Sequence, residues 1–361
     1  MINSYQAGGE TDISRLQEFK DVFKNIKLAW ERNEQAAIAM QISVKGSAYR
    51  LPGTKMMMAS DGQMFGTISG GCLESDLFGW AEKAMEMRTP LTHKYDLSEN
   101  EVWGLGIGCK GILEMLILPI DQNDVFWKKT EEIIQKGQAF SCVLEIPSGR
   151  RLLIEKEGIM IGGLDNLPFE VVEKARNSMD TQTRAEIMSC DGSRFLIDAV
   201  KPGEKLIVAG AGRDAVPVAD LAAKAGFSVT VLDSRVEFNN PGLFPSVIHL
   251  IENPEEINSN NVTDSWWIIM NHYQEIDEKA LQLALKSNPR YIGVLGPMAR
   301  TKEMLINIGQ TFSDGPIHSP IGLDLGAETM EEVAISIVAE LMTVKNGRNP
   351  VPLHGKTKIH G

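Results

Sequence analysis

Residues 205–235 read KLIVAGAGRDAVPVADLAAKAGFSVTVLDSR, and this stretch decides the fold. Leu206, Ile207, Val208 and Ala209 form a short apolar run, the mark of a strand buried on both faces. The run ends in Gly210-Ala211-Gly212-Arg213-Asp214-Ala215, a G-x-G-x-x-A turn. Helical spacing follows at Val216, Ala219, Leu221, Ala222 and Ala225, and Gly226 stops the helix. Val229, Val231 and Leu232 alternate in a second strand that ends at Asp233. Strand, turn, helix, strand and terminal acid in this register predict a Rossmann-type, doubly wound parallel sheet. Gly210 permits the tight turn, Gly212 admits a pyrophosphate against the backbone, and Ala215 lets the helix lie close to the strand. The helix N-terminus favours an anion, and Asp233 would accept hydrogen bonds from ribose hydroxyls. Gly210, Gly212 and Asp233 are therefore candidate cofactor contacts, for a nucleotide such as NAD(P) or another ligand, unless the motif serves the scaffold alone. Strand and helix patterns go on alternating after Asp233, and His272 follows the strand predicted at 266–270. Ligands of such sheets gather beyond the carboxyl ends of the strands, which adds His272 to the candidate cofactor contacts.

The totals narrow the class. A chain of 361 residues suggests two or three domains. Hydrophobic content of 43% with 23% charged residues is that of an ordinary soluble globular protein. The net charge of -12 argues against nucleic acid and anionic membranes, which need a basic footprint. No apolar run reaches the ~18 residues of a membrane span, and the polar, acidic N-terminus does not read as a signal peptide. Cys72, Cys109, Cys142 and Cys190 are widely spaced, without C-x-x-C. They read as reduced thiols of a cytoplasmic protein, with no structural zinc site. The expected organisation is a tail at 1–12, an N-terminal α/β domain at 13–120, a connecting α+β region at 121–201, the Rossmann-like domain at 202–345 and a tail at 346–361. No internal repeat is apparent at this level.

The N-terminal domain concentrates its unusual residues in two loops. A hairpin signal at Asp61-Gly62 predicts a return strand over 63–68. Ser69-Gly70-Gly71-Cys72-Leu73-Glu74 then leads into a helix. Glycines before a helix start leave N–H groups aimed at an anion, and a thiol there has an available thiolate. The second loop is Trp103-Gly104-Leu105-Gly106-Ile107-Gly108-Cys109-Lys110-Gly111. Its alternate glycines suit a backbone that wraps a ligand, and Lys110 favours thiolate at Cys109. Cys142 and Cys190 fall inside strand patterns and read as core residues.

These residues carry a resemblance. SAYRLPGTKMMMASDGQMFGTISGGCLESDL, WGLGIGCKGILEMLILP, the 205–235 stretch, RYIGVLGPMARTKEML and SPIGLDLGAETMEEVAISIVAEL resemble the xanthine dehydrogenase accessory protein family of the XdhC/CoxI type. Lys110 stands where the family pattern has a second glycine, and Arg213 where histidine or proline is commoner. The resemblance implies a cofactor chaperone rather than a turnover enzyme, with no catalytic residues. It would bind molybdenum cofactor (molybdopterin), protect it while its sulfido ligand is installed, and insert it into an apo xanthine dehydrogenase-type molybdoenzyme. A cysteine desulfurase and a second copy of the chain, as a homodimer, are the other partners implied. Gly70, Gly71, Cys72, Glu74, Gly106, Gly108 and Cys109 would form the cofactor cradle, with Cys72 and Cys109 contacting molybdenum. The alternative from the fingerprint alone is an NAD(P)-dependent oxidoreductase that uses the Rossmann domain. The cleft between the Rossmann turn and the two cysteine loops is the expected working site.

Overall fold

A computed structural model describes residues 15–46, 50–97, 111–156, 158, 160–164, 166–181 and 185–355. They form two compact units that meet in sequence between Pro202 and Gly203.

The first unit runs α1 (Arg15–Glu31), β1 (Ala36–Gly46), β2 (Lys55–Ala59), β3 (Met64–Phe65), α2 (Glu74–Met87), β4 (Leu91–Asp96) and β5 (Gly111–Ile120). It continues with α3 (Val125–Lys136), β6 (Phe140–Ile146), β7 (Arg151–Glu155), β8 (Met160–Gly162), α4 (Phe169–Asp180), β9 (Glu186–Cys190) and β10 (Ser193–Val200). The sheet orders are β3-β2-β1-β5-β4 and β8-β7-β6-β10-β9. The same α-β-β-β-α-β-β chain path is therefore drawn twice. The region expected to be a connector is a second copy of the first half, and the reading of no internal repeat is corrected.

Period-two alternation places the core. Ile38, Met40 and Ile42 of β1 share one cluster with Cys142, Leu144 and Ile146 of β6, and with α1 and α3. The opposite faces are covered separately. Ala37, Ala39 and Met115 pack on Leu77 and Ala81 of α2, and Val143 and Ile197 pack on Val171 and Ala175 of α4. Local signals set the element ends: Asp124 caps α3 by accepting from the Phe126 N–H, and Gly137 closes it in the left-handed region.

Side-chain detail repeats as well as topology. β2 begins with Lys55, whose Nζ donates to the carbonyl of Gly53 and lies over the Phe19 ring of α1. β7 begins with Arg151, whose Nη1 donates to the carbonyl of Gly149 and whose guanidinium lies over Phe126 and Trp127 of α3. Gly66 follows β3 with φ +95°, and a Cβ there would come 2.9 Å from the Lys55 carbonyl oxygen. Gly162 ends β8 with φ +149°, and a Cβ there would come 2.3 Å from the Arg151 carbonyl oxygen. Only glycine fits such approaches. This explains why the return strand predicted over 63–68 is only Met64–Phe65: the chain bends at Gly66.

The two halves are joined by ion pairs. Arg194 of β10 makes a two-pronged contact with Glu114 of β5, at 2.7 and 2.9 Å. Lys55 Nζ lies 2.6 Å from Asp198 Oδ2, with side chains 1% and 0% exposed.

The second unit is built on a six-stranded sheet in the order β13-β12-β11-β14-β15-β16, with every pairing parallel. The strands are β11 (Lys205–Ala209), β12 (Ser228–Leu232), β13 (Ile248–Leu250), β14 (Trp266–Ile269), β15 (Tyr291–Val294) and β16 (Ile317–His318). Helices α5 (Ala215–Lys224), α6 (Gln274–Lys286), α7 (Met298–Asn307) and α8 (Met330–Lys345) cover it. This is the Rossmann-type, doubly wound sheet expected from the fingerprint, with the order reversing between β11 and β14. Ala334, Ile337, Val338 and Leu341 bury α8 in the core, whereas Ile335 faces outward.

Removing one partner of the buried Lys55–Asp198 pair leaves an uncompensated charge. Lys55→Met or Asp198→Leu alone is expected to lower stability by about 3–5 kcal/mol, and the double variant to recover most of it. Urea unfolding of the three variants checks this.

Candidate functional site

The Ser69–Glu74 loop is organised by one carboxylate. Glu74 opens α2, is 2% exposed and gathers six donors. Its Oε1 accepts from the Thr67 hydroxyl and the N–H groups of Ile68 and Ser69, at 2.9–3.0 Å. Its Oε2 accepts from the Ser69 hydroxyl and from the N–H groups of Gly71 (3.0 Å) and Leu73 (3.1 Å). Burial alone would raise this carboxyl, but the Ser69 hydroxyl and amide, the Ile68 amide and the Thr67 hydroxyl outweigh it and hold it at about 2. The N–H of Gly70 donates to the Thr67 hydroxyl. The amides read from sequence as an open anion cradle are thus occupied from within the chain, which corrects the reading of Gly70 and Gly71 as free donors. Their positive φ values, +72° and +106°, give the turn that displays Cys72. Cys72 is a free, exposed thiol two residues before the helix.

The second cysteine loop is rooted near the first. Gly104, Gly106, Gly108, Cys109 and Lys110 lie outside the described residues. Their flanks do not: Leu97 donates its N–H to the carbonyl of Gly111 at 2.9 Å, closing the base of that connection. Two residues before this base, the Tyr95 hydroxyl donates to Asp76 of α2 at 2.7 Å. Burial, then the Asp76 carboxylate, pushes the Tyr95 hydroxyl far above its usual range, so it stays a donor. The contact ties the stem of the Cys109 loop to the first turn of the helix behind Cys72. Trp80 and Lys83 continue the same helix face. His93 stacks on Trp80 with centroids 4.2 Å apart, and Lys83 lies over the same indole. Sequence reasoning did not mark this cluster. The i, i+4, i+7 spacing of Asp76, Trp80 and Lys83 beside a strand with His93 and Tyr95 was the available signal.

In the second unit, Gly210, Gly212, Asp233 and His272 do come together at the carboxyl ends of β11, β12 and β14. Gly210 has φ +118°, and a Cβ there would meet the Met270 carbonyl oxygen at 2.6 Å. Asp233 is occupied. Its Oδ2 accepts from the Ala211 N–H and Arg235 Nη2, and its Oδ1 from the Arg235 N–H and Nε. Burial pushes its carboxyl up, but the Arg235 guanidinium and the two amides hold it below its usual value. His272 Nε2 lies 2.9 Å from Asp214 Oδ2. Neither Asp214 nor Arg235 was singled out from sequence. An acid inside the G-x-G-x-x-A turn and a base two residues after Asp233 were the signals.

Among the described residues no group of three or more His, Cys, Asp and Glu side chains forms a metal centre, and no helix is long and apolar enough to cross a membrane.

Comparison with known proteins gives one direction. Residues 29–96 match the XdhC and CoxI family, and residues 206–341 match the XdhC Rossmann domain. The chain is 32% identical over 322 residues to a probable xanthine dehydrogenase subunit of Bacillus subtilis, covering 87% of this chain and 94% of that protein. It is 22% identical to the molybdenum cofactor insertion chaperone PaoD of Escherichia coli, over 86% of this chain and 83% of that one. A crystal structure described as a xanthine dehydrogenase from Bacillus halodurans aligns with a TM-score of 0.75 at 27% identity, covering 94% of this chain and 99% of that one.

Glu74→Gln removes the charge that holds six donors, and the loop is expected to weaken by about 1.5–3 kcal/mol. Because the folded carboxyl is depressed, its contribution is full above its usual range and is lost as pH falls from about 4.5 to about 2. Hydrogen exchange of the 64–80 segment in both proteins across that window reads the effect.

Proposed function

The chain belongs to the XdhC and CoxI family, and we propose that it is an accessory protein that carries molybdenum cofactor to a xanthine dehydrogenase-type molybdenum hydroxylase. In this reading the cofactor is cargo. It is bound, kept while its terminal sulfido ligand is installed with a cysteine desulfurase as sulfur source, and handed to the apo-enzyme. The protein would act in the cytoplasm as a homodimer.

The observation that carries the reading is the display of Cys72. An exposed thiol stands on a turn whose backbone is fixed by Glu74, at the end of the fold where the Cys109 loop is rooted through Tyr95 and Asp76. Molybdenum is thiophilic, so a thiolate is a suitable contact. The metal arrives already held by its dithiolene, so one or two protein thiols suffice and a complete protein ligand set is not needed. Gly106, Gly108 and Cys109 would complete the cradle. Gly70, Gly71 and Glu74 support it by shape, since their polar groups are already paired with one another or with Thr67, Ser69 and their neighbours. The alternative, an NAD(P)-dependent oxidoreductase, rests on glycine spacing and gains no support from the side chains around the turn.

Anaerobic purification after co-expression with a xanthine dehydrogenase-type apo-enzyme, with molybdenum and pterin analysis, tests the reading. The unaltered protein is expected to retain pterin, and Cys72→Ala with Cys109→Ala to retain roughly tenfold less or worse, the equivalent of about 1.4 kcal/mol. Equal retention and equal enzyme activation by the double variant would remove the cysteines from the site. A pterin-free wild-type protein would sink the chaperone reading.

A further inference from the structure

We infer that the Rossmann turn of this chain is closed to dinucleotides, because Asp214 occupies the place of the pyrophosphate. A dinucleotide needs two things from such a turn: an open anion seat against the second glycine, and an acid free to accept from the ribose. Both are filled here by the chain itself.

The anion seat is filled first. A Cβ built on Gly212 would lie 2.4 Å from Asp214 Oδ1 and 3.5 Å from His272 Nε2. The space that the missing side chain leaves for a phosphate is therefore occupied by a carboxylate. Asp214 is the residue before α5, so its negative charge lies at the positive end of that helix dipole. Its side chain makes no capping hydrogen bond to the helix amides, but a phosphate entering beside it would meet a like charge.

The plug is held from the neighbouring strand. His272 has φ +66°, and its ring nitrogen is 2.9 Å from Asp214 Oδ2. The residue before it is clamped: Asn271 donates through its backbone N–H and its side-chain amide to Asp277 Oδ1, both at 2.9 Å. Asp277 is fully buried and takes Arg300 Nη2 on its other oxygen at 2.5 Å. His272 is thus delivered to Asp214 by a fixed network.

The ribose position is filled independently. Both oxygens of Asp233 carry two donors each, three of them from Arg235. A ribose would have to displace a guanidinium that is also packed on the Phe238 ring at 4.7 Å. The fingerprint spacing therefore serves strand, turn and helix geometry, and His272 is a structural partner of Asp214 rather than an acid–base group for hydride transfer. This inference stands apart from the chaperone reading, which does not use the turn.

Calorimetric titration of the full chain with NAD⁺, NADH, NADP⁺ and NADPH tests it. Wild-type protein is expected to show no saturable binding below about 1 mM. Asp214→Asn keeps the shape without the charge, and Asp214→Ala opens the seat. With Arg235→Ala added to free Asp233, the Asp214→Ala protein is expected to gain affinity for a dinucleotide by roughly tenfold or more, as removal of a close like charge requires. Circular dichroism confirms that each variant is folded. Saturable binding by the wild type at micromolar ligand overturns the inference. So does a folded Asp214→Ala/Arg235→Ala protein that binds no better than wild type.

Discussion

The first unit depends on a charge pair that neither half could keep alone. Lys55 opens a strand of one half, Asp198 lies in a strand of the other, and both are buried. A lone ammonium at that depth is costly, and so is a lone carboxylate. Each half therefore presents a group that is tolerable only when the other half is in place. The apolar cluster shared by Ile38, Met40, Leu144 and Leu196 supplies non-directional attraction between the sheets. The ion pair supplies register, since a one-residue slip of either strand turns its charge to the opposite face. Arg194 and Glu114 add a second, more exposed link between β10 and β5.

The two glycine turns share a physical solution. Helix starts expose N–H groups, and glycines in front of them make room for an anion. In both turns a carboxylate of the protein lies against the glycines, but only Glu74 takes amides, since Asp214 makes no capping hydrogen bond at α5. Glu74 takes the amides of 68, 69, 71 and 73, and Asp214 lies against Gly212. An internal carboxylate fixes loop shape without waiting for a ligand, and so preorganises what the loop displays. At α2 the displayed group is the Cys72 thiol. At α5 no comparable group is displayed, and the turn remains part of the scaffold.

This pattern explains what could be read from the chain. Periodicity and glycine spacing report backbone geometry, so the 205–235 stretch led directly to a parallel sheet. Asp124 and Gly137 cap α3 from positions next to it in the chain, which is local information of the same kind. Partner choice is not local. Nothing beside Lys55 announces Asp198, and nothing beside Asp233 says that Arg235 rather than a ribose will satisfy it. The duplication lay between these limits. Gly53, Gly62, Met64 and Gly66 recur as Gly149, Gly158, Met160 and Gly162 at one constant separation. Most of the surrounding side chains have diverged, so that chiefly the glycines imposed by turn geometry still repeat, with Met64/Met160 and the cation at Lys55/Arg151. Glu74 could be named with its loop, but its role as the anion of that turn was not legible, because the same glycines suit an external or an internal anion.

The divergence of the two halves also separates what each contributes to the fold. After β3 the chain forms a carboxylate-clamped turn with an exposed thiol. After β8 the equivalent connection enters α4 through Pro168, with no side-chain cap. Between β4 and β5 the chain inserts the glycine-cysteine segment, whereas β9 and β10 are joined by the short turn at Asp191 and Gly192, where both residues have positive φ. The cation at the start of the second strand differs in the same sense. Lys55 reaches across to the other half, but Arg151 turns back to Asp124 at the cap of its own helix. One copy has kept the fold with short connections, and its second-strand cation pairs within its own half. The other carries elaborated loops and relies on its twin for Asp198. A duplicated fold permits this division, since the copy that supplies rigidity releases its twin from closing every loop tightly. The cysteine loops are therefore placed on the half whose strands are braced from outside.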